Sequence, residues 1–219
     1  MNTNTVRVIQ FKSIRRKAGR GAEITQEEGS AFERGLSDET MRELSKRFSK
    51  PKTEMDYRNR AIFLLMSTTG LRAKEVVSLR FSNLMSSPKG DTLIKYRKKG
   101  GKIGYSVLSK ITLKSVIDYH SKFEIKNDFF FYSHPKRHQS TRSPLSKRGL
   151  QFIVSGWNVK TLEYRNIFCH SLRHTTGRRL LEMAGSIATQ KVLGHSSPNT
   201  SSRFYTQPFF DGSQFLTWD

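Results

Sequence analysis

The chain has 219 residues, of which 35% are hydrophobic and 26% charged, and its 15 Phe exclude an intrinsically disordered protein. It contains 39 Lys and Arg against 18 Asp and Glu, which gives a formal net charge of +21. Positive charges in such excess repel one another in a compact protein unless a polyanion neutralises them. Nucleic acid is therefore the expected partner, and ribosomal or membrane-surface attachment is the alternative.

The single cysteine, Cys169, excludes an internal disulfide framework and fits a reducing compartment. No apolar run reaches the roughly 18 residues of a membrane span. The N-terminus lacks the apolar region of a signal peptide. These features predict a cytoplasmic protein that does not contact a membrane.

Residues 1–35 are predicted to be a basic N-terminal arm and linker, followed by one folded domain over 36–219. Residues 1–20 contain six basic residues and no acidic one, which is typical of an arm that orders on DNA, or of a solvated tail. Residues 21–35 are acidic and contain Gly, so they form a linker or one short helix. The domain is expected to begin near Leu36.

The first half of the folded domain has helical and then strand patterns. Ser37 or Asp38 is predicted to cap a helix that runs to about residue 48. A second helix, over 54–68, is apolar on all sides at 61–66, which is typical of a central helix in the core. Strands are predicted over 91–97 and 103–108, joined by a lysine-rich turn into a hairpin.

An arginine stands where the central helix ends. Gly70 is predicted to terminate that helix in the left-handed conformation. Arg72 follows at once, and a short helix is predicted over 73–79. An arginine between two helices is held from both sides, which suits a group that must be placed accurately, although a surface arginine at a helix start is the alternative.

The second half is also predicted to be mainly helical. Helices are expected over 111–123 and 145–157, with a short buried strand over 129–132 between them. A further helix is predicted to bury a stripe made of Leu172, Thr176, Leu180, Met183 and Ala184. Gly185 interrupts it, and a short helix over 187–193 is closed by Gly194.

Four side chains in this last region suggest chemistry on a phosphate. His170 and Arg173 lie one turn apart at the N-terminal end of a helix, His195 follows Gly194, and Tyr205 comes ten residues later. The positive end of the helix dipole adds to a site that favours an anion. No acidic cluster accompanies these groups, so they suit direct stabilisation of a phosphoryl transition state.

Each of these side chains taken singly is also common in a purely structural role. Histidines cap helices, arginines lie on surfaces and tyrosines pack in cores. A metal-dependent nuclease would use His170 and His174, four residues apart, as ligands, with Glu182 as the nearest carboxylate. The phosphate hypothesis is favoured because it accounts for all of these residues together.

At these positions the sequence resembles the tyrosine recombinases, also called lambda-type phage integrases. The resemblance runs from about residue 36 to residue 205. It is carried by three short boxes and one tyrosine: Thr69-Gly70-Leu71-Arg72 with Glu75, His170-Ser171-Leu172-Arg173-His174, Leu193-Gly194-His195, and Tyr205.

The resemblance implies a role for each residue. Arg72 and Arg173 would bind the non-bridging phosphate oxygens, and His170 and His195 would donate hydrogen bonds or take the proton of the phenol. Tyr205 would be the nucleophile, with Glu75 supporting the site. The general acid would be a hairpin lysine: Lys99 by alignment of the Gly-rich turn, with Lys98 and Lys102 as alternatives.

The implied fold is a mostly α catalytic domain, a helical bundle with a small antiparallel β-hairpin sheet and a C-terminal tail over 206–219. The implied function is site-specific recombination of double-stranded DNA through a 3′-phosphotyrosyl intermediate, without metal or cofactor. A homo-oligomer, dimer to tetramer, is expected on DNA. A type IB topoisomerase, a telomere resolvase and a non-catalytic DNA-binding relative would share the same residues.

Two further expectations concern the ends of the chain. Family members usually carry a DNA-clamping domain before the catalytic domain, whereas only about 35 residues precede it here. The chain therefore resembles a short single-domain member or a catalytic domain, and an accessory DNA-binding protein is a further candidate partner. The tail is rich in apolar residues, so it is expected to dock on a neighbouring protomer or on its own domain.

Overall fold

The computed structural model describes residues 33–98, 100–135, 141–195 and 197–200. The fold is mostly helical, with one small antiparallel sheet of strand order β1-β2-β3, as the sequence predicts. The helices are α1 (Asp38–Arg47), α2 (Glu54–Thr69), α3 (Ala73–Val76), α4 (Lys110–Lys122), α5 (Lys147–Ser155) and α6 (Cys169–Leu193). The strands are β1 (Leu84–Ser86), β2 (Thr92–Arg97) and β3 (Ile103–Val107).

Helix α2 is the centre of the core. It begins with a reciprocal cap, in which the Asp56 N–H donates to Thr53 Oγ1 at 3.2 Å and the Thr53 N–H donates to Asp56 Oδ2 at 2.9 Å. The helix packs against both α4 and α6. Its apolar residues 61–63, 65 and 66 are buried, because neighbouring elements cover several sides of the helix.

The segment before α1 is fastened to α6. The Leu36 N–H donates to Thr175 Oγ1 at 2.8 Å, and Arg178 donates to the Leu36 carbonyl at 3.0 Å. The carbonyls of Glu33 and Gly35 accept from residues 163 and 162. The packed region thus includes residues just ahead of Leu36, while residues 1–32 lie outside the described part of the chain.

The structure differs from the sequence prediction at three elements. The sheet has a third strand, β1, which the sequence did not predict, because a three-residue strand has too few positions to show alternation. Helix α3 is shorter than the predicted 73–79. The predicted strand over 129–132 forms only isolated bridges, of Phe129 with Arg80 and of Tyr132 with Pro144, because its two ends have different neighbours.

The predicted apolar stripe of α6 is wrong at its C-terminal end. Met183 is 77% exposed and Ala184 is also exposed. The interruption at Gly185 is confirmed, since its φ of 76° and ψ of 178° break the helix. The prediction is wrong there because the end of the α6 segment that precedes Gly185 is not covered by the core. No helix among the described residues has the length and hydrophobicity of a membrane-spanning segment.

Replacing Gly70 with alanine is expected to lower the free energy of unfolding by about 3 kcal/mol or more. Its φ of 60° already disfavours a side chain, and an added Cβ would overlap Cδ2 of Leu193. Gly90→Ala is the matched control, because φ there is 84° and no atom lies within 4 Å of the added Cβ. Urea unfolding of both variants measures the difference, and equal losses would show that the close contact at Gly70 is unimportant.

Candidate active site

Two helices end side by side at the candidate site. Helix α2 is closed by Gly70 with φ 60°, and the last part of α6 is closed by Gly194 with φ 66°. Both glycines adopt the left-handed conformation that the sequence predicts. Arg72 follows the first end and His195 follows the second. The side chain of Leu193 lies against Gly70, so the two ends are in contact.

Arg173 joins these two helix ends. Its side chain is almost fully buried, at 3% exposure. Nη1 donates to the carbonyl of Gly70 at 2.6 Å, and Nη2 donates to the carbonyl of Leu193 at 2.8 Å. A cation at the C-terminal ends of two helices is stabilised by both helix dipoles. The guanidinium is therefore held in one orientation, and it fixes the two loops that carry Arg72 and His195.

Arg72 is positioned by a buried carboxylate. Glu75, at 3% exposure, accepts from the backbone N–H of Arg72 at 2.7 Å through Oε2 and from its Nη1 at 3.2 Å through Oε1. The first bond caps α3, and the second orients the guanidinium. Arg72 itself is half-buried, so its side chain remains accessible from solvent.

The histidines of the site are close to both arginines. Desolvation, with the charges of Arg173 and Arg72, lowers the pKa of His195 to about 4. The same causes lower the pKa of His170, although its ring is partly open to solvent. His174 lies edge-on to His170 with ring centroids 5.6 Å apart, and desolvation lowers its pKa to about 3. These imidazoles are therefore neutral near pH 7, so each provides one N–H donor and one acceptor.

Stability of the DNA-free protein is expected to fall as pH drops from 6.5 to 4.5. The unfolded chain binds protons on His174 and His195 in this range, while the folded protein, with pKa values of about 3 and 4, does not. One pKa unit is worth about 1.4 kcal/mol and solvent screening reduces this, so we expect a loss on the order of 2 kcal/mol. Urea unfolding across this range measures it, and an equal slope in a His174→Gln, His195→Gln protein would show that other groups cause the loss.

One residue of the site was not predicted from the sequence. Tyr96 of β2 is buried beside the cluster, where desolvation and the negative charge of Glu75 raise its pKa, opposed by the two site arginines. The alternation of β2 could have indicated an inward-facing side chain, because Ile94 and Tyr96 are buried while Lys95 and Arg97 are exposed. The pattern does not show which part of the core the side chain faces.

A cleft of about 680 Å³ lies between α3 and the β2–β3 hairpin. Arg72 and Glu75 line one side, and Arg97 and Lys98 line the other, with Lys74 also contributing. The cleft therefore has several cations from two separate elements around it. A site of this charge favours a polyanionic ligand over a neutral one.

The structure thus brings together five of the predicted site residues: Arg72, Glu75, His170, Arg173 and His195. Lys99, Tyr205 and the tail over 206–219 lie outside the described residues. Within the described ranges, no three His, Cys, Asp or Glu side chains are grouped as metal ligands. Glu182, the carboxylate of the nuclease alternative, pairs instead with Arg178 at 3.8 Å.

The sequence model of the phage integrase family matches residues 34–211, which is most of the chain and includes every predicted site residue. The chain belongs to this family. Curated relatives include the tyrosine recombinase XerC of Chromobacterium violaceum, 29% identical over 159 residues that cover 71% of this chain and 50% of the relative. XerC of Bacillus pumilus is 29% identical over 180 residues, covering 78% and 56%. The chain thus spans about half the length of the curated relatives it matches.

Solved structures support the same fold. The XerA recombinase superposes with a TM-score of 0.61 at 20% identity, covering 84% of this chain and 66% of that one. The XerH recombinase bound to its difH substrate gives 0.59 at 23% identity, covering 86% and 54%. At this level of identity the comparison establishes that the described domain has the recombinase catalytic fold.

Proposed function

We propose that the protein is a site-specific DNA recombinase of the tyrosine type, which cuts and rejoins double-stranded DNA. The observation that carries this proposal is the cluster of Arg72, Arg173, His170 and His195, in which Arg173 joins the two helix ends that carry Arg72 and His195. Relatives named tyrosine recombinase and a fold shared with recombinases bound to DNA support it. The net charge of +21 supports DNA as the partner.

The two guanidiniums match the charge that develops during attack on a phosphodiester. Negative charge grows on the non-bridging oxygens, and arginine can bind two such oxygens through its paired N–H groups. Arg173 is already oriented by two carbonyls and Arg72 by Glu75. Little reorganisation is then needed when the charge appears, which is the basis of electrostatic catalysis.

Tyr205 supplies the nucleophile in this proposal. A phenol has a reference pKa of about 10, so it needs a base or a cationic environment to react near pH 7. His170 or His195 is neutral and can accept the phenolic proton. The bond from phosphorus to the tyrosine oxygen forms, the bond from phosphorus to the 5′ oxygen breaks, and a general acid protonates the departing oxygen. The products are a 3′-phosphotyrosyl link and a free 5′ hydroxyl.

The reaction conserves its bond energy. The 3′-phosphotyrosyl link replaces one phosphodiester by another, so a 5′ hydroxyl from a second strand can reverse the step without a nucleotide cofactor. Recombination in this form needs two duplexes and thus several protomers. We therefore also propose that the protein acts as a dimer to tetramer on DNA. An accessory DNA-binding protein is a further candidate partner in this proposal.

The proposal is tested by trapping the covalent intermediate. The protein is incubated with nicked duplexes that carry candidate sites, with and without chelator, and run on a denaturing gel. We expect a protein–DNA band that persists with chelator and is absent in Tyr205→Phe. Cleavage that leaves no covalent band and is lost with chelator would instead support a metal nuclease, and DNA binding with neither cleavage nor band in the unaltered protein would support a non-catalytic relative. Relaxation of supercoiled DNA without strand exchange would favour a topoisomerase.

A further inference from the structure

An acidic stretch of the sequence directly precedes the packed domain. Residues 21–33 contain four Glu and no Lys or Arg, although the whole chain has a net charge of +21. Residues 1–20, in contrast, contain six basic residues and no acidic one. Carboxylates in so cationic a protein are attracted to the positive surfaces within their reach. The course of the chain near residue 33 indicates which positive surface that is.

The first described residues run alongside α6 and in the same direction. Desolvation and the charges of its neighbours, among them Arg34, lower the pKa of His174, so Arg34 lies close to that imidazole. Leu36 follows, with its N–H bonded to Thr175 and its carbonyl to Arg178. Later residues of this segment thus contact later positions of α6. Traced backward from Arg34, the chain heads for the first turn of α6, at the candidate site.

That first turn lies in a strongly positive environment. Besides the desolvation of its ring, three nearby cations disfavour the protonated form of His170: Arg173, Arg72 and Lys147. Among the described residues, the carboxylate of Glu75 opposes them. Lys147, at the start of α5, is exposed, and Arg72 is half-buried. These two cations are therefore accessible to a carboxylate that comes from another part of the chain.

The acidic stretch is long enough to reach this environment. Glu28 and Glu27 precede Arg34 by six and seven residues. An extended chain spans about 3.3 Å per residue, so these carboxylates can lie up to about 20 Å from Arg34. His170 is one helical turn from His174, a distance of about 5.4 Å along the axis. The available chain is therefore longer than the distance to the first turn of α6.

We propose that the acidic segment, defined as residues 23–28, covers the first turn of α6 when no DNA is bound. Its three glutamates pair with Arg72 and Lys147, the accessible cations near His170. A DNA duplex presents phosphates to the same cations and displaces the segment. The segment is thus an intramolecular competitor that weakens specific and non-specific DNA binding by the same factor. This inference rests on DNA as the partner and not on strand cleavage.

The contact is tested by zero-length cross-linking of the full chain without DNA. A carbodiimide joins a carboxylate to an ammonium group only where the two are in contact, and mass spectrometry identifies the joined residues. We expect links from Glu27 or Glu28 to Lys147, and their loss at saturating duplex DNA. The proposal is overturned if no such link forms, if the glutamates are joined only to Lys12 and Lys17, or if the links join two copies of the chain. Links to Lys147 that persist when DNA is bound would overturn the competition.

The effect on DNA is tested by equilibrium binding to a duplex at low salt. The variant combines Glu23→Gln, Glu27→Gln and Glu28→Gln, which keep the length of the side chains but remove three negative charges. A segment that covers the site about nine-tenths of the time raises the apparent Kd for DNA about tenfold, because only the open fraction binds. We therefore expect the variant to bind about tenfold more tightly. The gain should shrink as salt is raised, because ions screen exposed charge pairs.

A variant with the same net charge separates this contact from general electrostatic attraction. It replaces with glutamine three carboxylates that are exposed on α1 or just after α4, those of Glu39, Glu43 and Glu124. These groups affect only the long-range field, so we expect a gain in affinity of about threefold or less. Equal gains in the two variants would overturn the competition. A chain that forms links to Lys147 but no covalent intermediate with DNA would refute the proposed function and leave this contact standing.

Discussion

Arg173→Lys is expected to lower the single-turnover rate of covalent attachment to DNA by about a thousandfold or more. Lysine keeps the charge, but it has no planar fork to bind two carbonyls and a phosphate at once. Nη1 and Nη2 of Arg173 hold the carbonyls of Gly70 and Leu193 at 2.6 and 2.8 Å. In the proposed mechanism the substitution removes a guanidinium that stabilises the transition state, a loss that costs about 10³-fold or more in phosphoryl-transfer enzymes that use an arginine in this way.

The same substitution is expected to loosen the two helix ends. Two buried carbonyls lose charged partners, at about 1–3 kcal/mol each. Arg178→Lys is the matched control, because Arg178 is also buried on α6 and donates to a carbonyl, that of Leu36, at 3.0 Å. It should reduce stability without slowing attachment by the folded protein. Urea unfolding and single-turnover gels at saturating protein separate the two effects; equal slowing by both variants would show that only folding is affected.

Glu75→Ala is expected to slow attachment by about a hundredfold and to destabilise the protein by about 2 kcal/mol. It leaves the N–H of Arg72 without its acceptor inside a buried helix start, and it removes the carboxylate that orients the guanidinium. Glu75→Gln keeps a neutral acceptor. This variant should recover most of the stability and only part of the attachment rate, because the negative charge of the carboxylate no longer offsets the positive charges of the site.

A surface pair of the same spacing serves as the control for Glu75. Arg42 contacts Glu39 three residues away at 3.4 Å, with both side chains more than 70% exposed. Glu39→Ala should leave both attachment and unfolding unchanged, because exposed ion pairs contribute little. If Glu75→Ala behaved like Glu39→Ala, the carboxylate would have no positioning role, and Arg72 would be held by its backbone alone.

Arg173 and Glu75 belong to one set of contacts, which positions Arg72 and His195. Arg72 and His195 are on separate loops: Arg72 lies two residues after Gly70 and His195 directly after Gly194. Arg173 binds the carbonyl of Gly70 and the carbonyl of Leu193, so a single side chain fixes the spacing of both loops. Glu75 then fixes the direction of Arg72 within its loop. Stability and catalysis are expected to depend on the same bonds here, and for this reason each experiment includes a control for folding.

The sequence by itself determined the local features of this protein. Capping residues, apolar periodicity and glycine positions predicted the main helices, the β2–β3 hairpin and the ends at Gly70 and Gly194, because each depends on interactions between near neighbours in the chain. The family motifs likewise predicted Arg72, Glu75, His170, Arg173 and His195 as site residues. Local patterning was weak where elements are short, and strand β1 was missed for that reason.

Only the tertiary structure determined which of these features contact one another. Arg173 and Gly70 are 103 residues apart in the chain, and no local pattern specifies that the arginine binds that carbonyl. The placement of Tyr96 beside Glu75, Arg72 and Arg173 depends on which segments pack against the hairpin. The fastening of Leu36 to Thr175 likewise joins residues 139 positions apart. Such contacts form only when the core packs, because their partners are selected by the complementary shapes of distant segments.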